Sequence, residues 1–532
     1  MALKRNAQRS NCYIIETFDP RRISEFRSLL ESGKFGELVK TNYVRLLEYD
    51  LQRGEIVDLR DKAPLRTDPM SSPIAQVGQQ LADAPTVLMI KYVFNESHAN
   101  MISEMLVAWS HDEELYNHKS TVVVFTSSAS LFSESVRRFV HTITIEPSTP
   151  DERRTILRRL ARDLSAAFEE KYGKKIRLRI NEDLIQATSG LTLHDVETAA
   201  LESFYTTRRF DVKVFTNYKT QLLKNYGIEY IIPNRGFESV GGYQLLKEYV
   251  KKRIIIPLRE PEKTRYYGLT PPRGILLYGY PGTGKTWFAK AMSKEIGLPM
   301  LKISPADFLR GIVGETEARV RQLTQLMESL APVSIFIDEY DQLAMSRAQQ
   351  FIGDSGVSRR MQNMLLDWLG DENRKSFIIG ATNFVEQIDQ AFIRVGRIDK
   401  VILVLPPDKE ARKEILRVHT SVVRKVPIKD VNFDEIAEKT FMWTGAEIER
   451  LVLDASALAM DKDDKYVTQE HFDQALNLTE VNIQERASRV REMIEVTKKL
   501  ENKDNAFLKE AVKEFVAGEK DKSRIKKFME AL

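Results

Sequence analysis

Eight residues near the middle of the chain, Gly279-Tyr280-Pro281-Gly282-Thr283-Gly284-Lys285-Thr286, follow the short apolar run Arg273–Tyr278 and precede the amphipathic stretch Trp287–Ile296. A strand, a glycine-rich turn and a helix in that order form a cradle for phosphate. Where Cβ atoms are missing, backbone N–H groups close around the β- and γ-phosphates of a nucleoside triphosphate, and the helix N-terminus adds its positive end. Pro281, Gly282, Thr283 and Gly284 would supply that backbone. Lys285 would neutralise phosphate oxygens, and the Thr286 hydroxyl would ligate Mg2+. Trp287 follows the loop directly, whereas the Tyr280 side chain has no task in this chemistry.

Roughly fifty residues on, the apolar run Val333–Ile337 ends in Asp338-Glu339. An acid pair at the tip of a buried strand is costly unless it has work to do. Asp338 would complete the metal shell, and Glu339 would orient and deprotonate an attacking water. Asn383 ends the next apolar run, Ser376–Asn383, where an amide could hold that water and the γ-phosphate; taken alone it would be a strand-end turn residue.

These groups must be carried by a parallel α/β core, and the chain reads as containing its outline twice. In the second half the strand Ser376–Asn383 is followed by Pro406-Pro407-Asp408, a helix with Ile415-Leu416, and Thr444-Gly445-Ala446-Glu447. In the first half the strand Ser120–Ser127 is followed by Pro150-Asp151, a helix with Ile156-Leu157, and Ser189-Gly190-Leu191. Strand end to Asp is 24 residues in the first half and 25 in the second, and Asp to Gly is 39 and 37. Two α/β cores, each with a small helical lid, account for the match; the competing reading is that strand–turn–helix successions are simply common.

The expected organisation is a first domain at 1–217, with a core over about 1–150 and a lid over about 151–217, then a linker at 218–235. A large α/β subdomain at 236–408 and a helical lid at 409–480 follow. Residues 481–532 are Lys/Glu-rich with Val490, Met493, Ile494 and Leu500 at helical spacing and a break at Ala517-Gly518. This tail reads as helix, more readily a solvated arm than a segment docked on a neighbour.

The first half lacks the chemistry of the second. No G-x-x-x-x-G-K precedes Gly279, the apolar run Thr86–Ile90 ends in Lys91-Tyr92 instead of an acid pair, and Ser127 stands where Asn383 stands.

Residues 238–453, about 40% of the chain, resemble the AAA module proper. The resemblance implies a P-loop NTPase core with a helical lid, ATP and Mg2+ as ligands, and ATP hydrolysis. Ser239-Val240-Gly241-Gly242 resembles the family's lead-in, which places the Val240–Gly241 backbone against adenine. Gly445-Ala446-Glu447 matches the lid motif beside the base, and His419 stands where the family contacts ribose. Arg394 and Arg397, in Ile393–Asp399, resemble the arginine-finger segment, although two arginines three apart would otherwise be a solvated face. By resemblance they complete a neighbour's site, which implies a homo-oligomer, a hexameric ring. The family's substrate-gripping pore loop aligns with Gly311-Ile312-Val313, where Ile312 replaces the usual aromatic and offers less contact area. An inactive AAA-like half before an active one resembles the Ycf-type AAA proteins of chloroplasts, cyanobacteria and archaea. Thr17-Phe18-Asp19-Pro20, Glu48-Tyr49-Asp50 before Gly54, Pro150-Asp151 and Ser189-Gly190-Leu191 carry that likeness, and an unrelated α/β adaptor domain is the alternative.

Composition narrows the function. The 532 residues carry 80 basic and 76 acidic side chains for a net charge of +4, too weak a bias to name nucleic acid as partner. A single cysteine, Cys12, allows no intrachain disulfide and no thiolate zinc site. No apolar run reaches the length of a membrane span, and the N-terminal residues do not read as a signal peptide, so a cytoplasmic location is expected. The leading expectation is an ATPase ring that remodels or unfolds an unidentified protein. A slowly turning nucleotide-gated scaffold and a nucleic-acid motor are the competing classes.

Overall fold

The computed structural model describes residues 11–17, 19–51, 53–65, 73–93, 95–145, 148–309, 315–345, 357–479, 481–501 and 503–517. It divides into two compact units, Met1–Lys219 and Thr220–Leu532.

The first unit is built on a seven-stranded sheet. Its strands are β1 (Cys12–Glu16), β2 (Arg45–Asp50), β3 (Glu55–Asp58), β4 (Ala63–Pro64), β5 (Thr86–Val93), β6 (Thr121–Thr126) and β7 (His141–Thr144), in the order β4-β3-β2-β5-β6-β1-β7. Neighbours among β2, β5, β6, β1 and β7 run parallel, and β3 and β4 add an antiparallel edge. Strands of a parallel sheet are covered on both faces, so their side chains alternate between two apolar layers. Leu88, Ile90, Val122 and Val124 face one layer, and Val87, Met89, Val123 and Phe125 face the other. Beyond the sheet lie the helices Pro150–Tyr172, Glu182–Ala187 and Leu193–Thr207.

The second unit repeats the plan. The strands β8 (Glu229–Ile231), β9 (Gly274–Gly279), β10 (Met300–Ile303), β11 (Ser334–Ile337), β12 (Phe377–Thr382) and β13 (Lys400–Val404) lie in the order β13-β9-β12-β11-β10-β8. Counting parallel strands along the chain, both sheets follow the order fifth, first, fourth, third, second. Ile275, Leu277, Phe336 and Ile379 pack beneath the helix Lys285–Ile296, while Leu276, Ile335, Ile337 and Ile378 pack beneath Glu315–Ser329 and Val357–Gly370. The lid, formed by Lys409–Arg417, Phe433–Lys439, Gly445–Asp461 and Gln469–Leu476, has its own core around Leu416, Trp443, Leu451 and Phe472.

Two expectations need correction. The stretch 218–235 is not a featureless linker: the helix Val212–Asn225 ends within it, and β8 pairs antiparallel with β10. The charged tail is not a solvated arm through its described length. Its helices Ile483–Lys499 and Asn505–Ala517 bury Val490, Met493, Ile494, Leu508, Val512, Phe515 and Val516 in the unit's main apolar core. Cation- and acid-rich faces point to solvent while one stripe of each helix is covered. Gly518 lies outside the described residues.

Candidate functional site

β9 ends at Gly279, beside the point where the strand order reverses, which is where open α/β sheets place their ligands. The loop leaving it needs left-handed backbone at Gly282 (φ 80°) and Gly284 (φ 84°), a conformation that L side chains adopt at a cost. It hands over to the helix Lys285–Ile296. The Lys285 ammonium donates to the carbonyls of Gly279 (2.8 Å) and Tyr280 (3.0 Å) and to Asn383 Oδ1 (2.8 Å). Burial pulls its pKa down to about 8, with the nearby Asp338 carboxylate opposing the shift.

β11 carries the acid pair. Thr286 Oγ1 donates to Asp338 Oδ2 at 3.3 Å, so a hydroxyl and a carboxylate already face each other. Glu339 is exposed and holds a left-handed backbone (φ 52°), unusual for a residue with a Cβ and a form of strain that gathers at functional sites. Its carboxylate accepts from Gln342 Nε2 at 2.7 Å. β12 ends in Thr382, whose hydroxyl donates to Asp341, and Asn383 follows.

The lid closes the opposite side. Ala446 N donates to Gly282 O at 3.1 Å. Gly241 and Gly242 press against the helix Lys409–Arg417: a Cβ on Gly241 would stand 2.5 Å from the Ile415 backbone, and one on Gly242 would stand 2.2 Å from Ala411 Cβ. Between core and lid lies a cavity of about 410 Å³. Val240, Gly241, Pro281, Gly282, Thr283, Gly284, Lys285, Thr286, Trp287, His419, Gly445 and Ala446 all line it, as do Asp338, Glu339 and Asn383. Its apolar side, with Val240 and Ile415, suits a planar base, and its lysine end suits phosphates.

Residues 275–405 match the family model of the ATPase family associated with various cellular activities, AAA, and residues 430–474 match that of the AAA+ lid domain. The second unit carries an AAA domain with its lid. A cell division cycle protein 48 homolog from Archaeoglobus fulgidus is 34% identical over 332 residues, covering 59% of this chain and 44% of that protein. A proteasome-activating nucleotidase from Methanosphaerula palustris is 35% identical over 267 residues, 49% of this chain and 63% of that protein. An uncharacterized AAA domain-containing protein, ycf46, from Trieres chinensis is 32% identical over 297 residues, 54% of this chain and 58% of that protein. The chain thus spans less than two thirds of the curated relatives' own length.

The AAA domain's donors fit a magnesium nucleotide. Two hard oxygen donors sit side by side at Thr286 and Asp338, and a Cβ on Gly282 would stand 2.9 Å from Thr444 Oγ1 and 3.3 Å from Ala446 Cβ, so this glycine lets the lid close on the loop. Arg394 and Arg397 are not brought to this cavity. Arg394 is exposed, and Arg397 Nη1 donates to Ala391 O at 2.6 Å. Gly311, Ile312 and Val313 lie outside the described residues.

Several contributors were not legible in the sequence. Glu449 lines the cavity 3.7 Å from His419 Nδ1 and pairs with Arg424. Burial lowers the His419 pKa, with Glu449 opposing. Tyr280, which seemed idle, lies under the guanidinium of Arg486; only the spacing of an arginine within a charged tail could have hinted at it.

Among the described residues the first unit differs at two of the equivalent places. At the β5 tip, Lys91 Nζ pairs with Glu48 at 2.7 Å. The carboxylate of Asp19 accepts from Leu193 N (2.7 Å) and His194 N (3.4 Å), so the N-terminus of the helix Leu193–Thr207 is already supplied with an anion. Arg22 binds Glu152 at 2.7 Å across the same seam.

Proposed function

We propose that the second unit binds ATP with Mg2+ and hydrolyses it within a homo-hexameric ring that remodels a protein partner in the cytoplasm. The observation that carries this reading is the cavity in which Lys285, the Thr286–Asp338 pair, Glu339 and Asn383 face lid residues Gly445 and Ala446. Mg2+, held by Thr286 and Asp338, would neutralise charge on the phosphates. Lys285 binds the β/γ oxygens, exchanging its carbonyl partners for phosphate. Glu339, steadied by Gln342, takes the proton from water as it attacks. Asn383 orients that water from the lysine's other side.

Arg394 and Arg397 lie outside their own cavity, which supports a role across a subunit boundary. The names of the relatives, a proteasome-activating nucleotidase among them, support a protein as the object of the work. The first unit serves as a non-hydrolysing module whose lid Asp19 and Arg22 hold shut. The domain divisions follow from this: 1–217 as the AAA-like module, 236–408 as catalytic core and 409–480 as lid. Gly311, Ile312 and Val313 would grip polypeptide.

Gel filtration with and without ATP, together with turnover measured against protein concentration, tests the ring. A hexamer whose specific activity rises with concentration is expected; a monomer with concentration-independent turnover contradicts it.

A further inference from the structure

Three elements around the cavity converge on one helix of the charged tail. Arg486 sits in the first turn of Ile483–Lys499 and is 8% exposed. Its guanidinium makes a two-pronged contact with Glu447, Nη1 to Oε2 at 2.7 Å and Nη2 to Oε1 at 2.8 Å, and donates to Met442 O at 2.7 Å. Its other face stands 4.9 Å from the centre of the Tyr280 ring.

Each partner leads directly to the nucleotide cavity. Tyr280 is a P-loop residue whose carbonyl holds the Lys285 ammonium at 3.0 Å. Glu447 closes the cap on the lid helix Gly445–Asp461 by accepting from Thr444 N (2.7 Å) and Oγ1 (3.0 Å). The neighbouring Ala446 N reaches Gly282 O across the cavity mouth. One turn along the tail helix, Arg489 stands 5.3 Å over Phe384, the residue after Asn383, and 3.3 Å from Glu386.

A planar guanidinium can fork onto a carboxylate and stack on a ring at once, and an ammonium cannot. Burial by itself would raise the Glu447 pKa, but Arg486 and the Thr444 backbone N–H outweigh it and hold the carboxyl below its usual range.

We propose that Arg486 is a positioning residue for the nucleotide site, tying P-loop Tyr280 to lid Glu447 so that the helix Ile483–Lys499 sets lid closure over bound nucleotide and moves with it. The proposal rests on the cavity being an ATP site. It assigns the helix Ile483–Lys499 the role of coupling three cavity elements, the P-loop at Tyr280, the lid at Glu447 and the turn at Phe384–Glu386.

The test is ATP affinity by calorimetry, steady-state kinetics and thermal melting on the full-length wild type, Arg486→Gln, Arg486→Lys, Tyr280→Leu and the Arg486→Gln/Tyr280→Leu pair. Arg486→Gln and Tyr280→Leu are each expected to weaken ATP binding about tenfold and raise KM in step, with kcat changed less than about threefold. The double variant is expected to bind within about twofold of the worse single, because one contact is lost twice. Arg486→Lys keeps the charge and is expected to recover less than half of the loss, whereas a purely structural cation would recover most of it. Should Arg486→Gln not fold, Tyr280→Leu, which leaves the Arg486–Glu447 pair intact, carries the test. Variants that bind ATP like a competent wild type, or losses that multiply, overturn the proposal alone. A wild type that binds no ATP overturns the ATPase reading and this proposal with it.

Discussion

Phe515→Ala is expected to behave as a core substitution. Phe515 is 5% exposed in the helix Asn505–Ala517 and shares the main cluster of the second unit with Val512, Leu508 and Ile494. Truncating a buried Phe to Ala removes its transfer energy and leaves a cavity, at a cost of about 3–5 kcal/mol. In a unit running from Thr220 to Leu532 each kcal/mol moves the transition by roughly 1.5 °C, so the second unit's Tm is expected to fall by roughly 5–8 °C. Lys513→Ala, on the exposed face of the same helix, is the control. It gains the same residue in the same element and is expected to stay within about 0.5 kcal/mol of wild type. Scanning calorimetry on the two variants separates burial from helix propensity. A Phe515→Ala transition within about 1 °C of wild type would refute the placement of the tail helices in the core.

Further outcomes follow from the site. Gly241→Ala puts a Cβ 2.5 Å from the Ile415 backbone and forces the lid helix outward; with about 1 Å of misplacement, phosphate release is expected to fall about 100-fold, and unchanged turnover would show that lid seating does not matter. Lys285 has a pKa of about 8 in the free site, and phosphate would raise it on binding. ATP affinity is therefore expected to be flat below pH 8 and to decline above it, with proton uptake near pH 8–9. Calorimetry in two buffers of different ionisation enthalpy measures that uptake, and its absence would mean that the ammonium does not meet phosphate. Arg394→Ala is expected to cut turnover about 10³-fold while leaving ATP affinity within about threefold, and activity is expected to return in part on mixing with Lys285→Ala subunits. An affinity loss matching the turnover loss would place the arginine in its own subunit's pocket.

The residues along one side of the cavity were legible because they lie close in sequence: the glycine loop, Lys285 and Thr286 are consecutive, and Asp338–Glu339 follow a fully buried strand. The two halves were legible as repeats because buried parallel strands read as apolar runs with fixed spacing to the lid. The tail was misread because a stripe such as Val490, Met493 and Ile494 says that a helix has an apolar face and not what covers it. The Lys/Glu-rich background then favoured solvent. β8 was missed because three residues, Glu229–Ile231, carry no periodic signal; its register comes from β10. Tyr280 looked idle because the P-loop works through its backbone. Its partner Arg486 lies some two hundred residues away, and Glu447 was legible as a lid motif but not as the carboxylate that joins them.

One triphosphate site per chain, built around Lys285, is expected, and none in the first unit, whose lid is capped by Asp19. Calorimetric titration of wild type and Lys285→Ala with ATP and Mg2+ measures this directly. One ATP per chain in the wild type and none in Lys285→Ala is the expected result. Two per chain, a site that survives Lys285→Ala, or no binding at all by the wild type would contradict it.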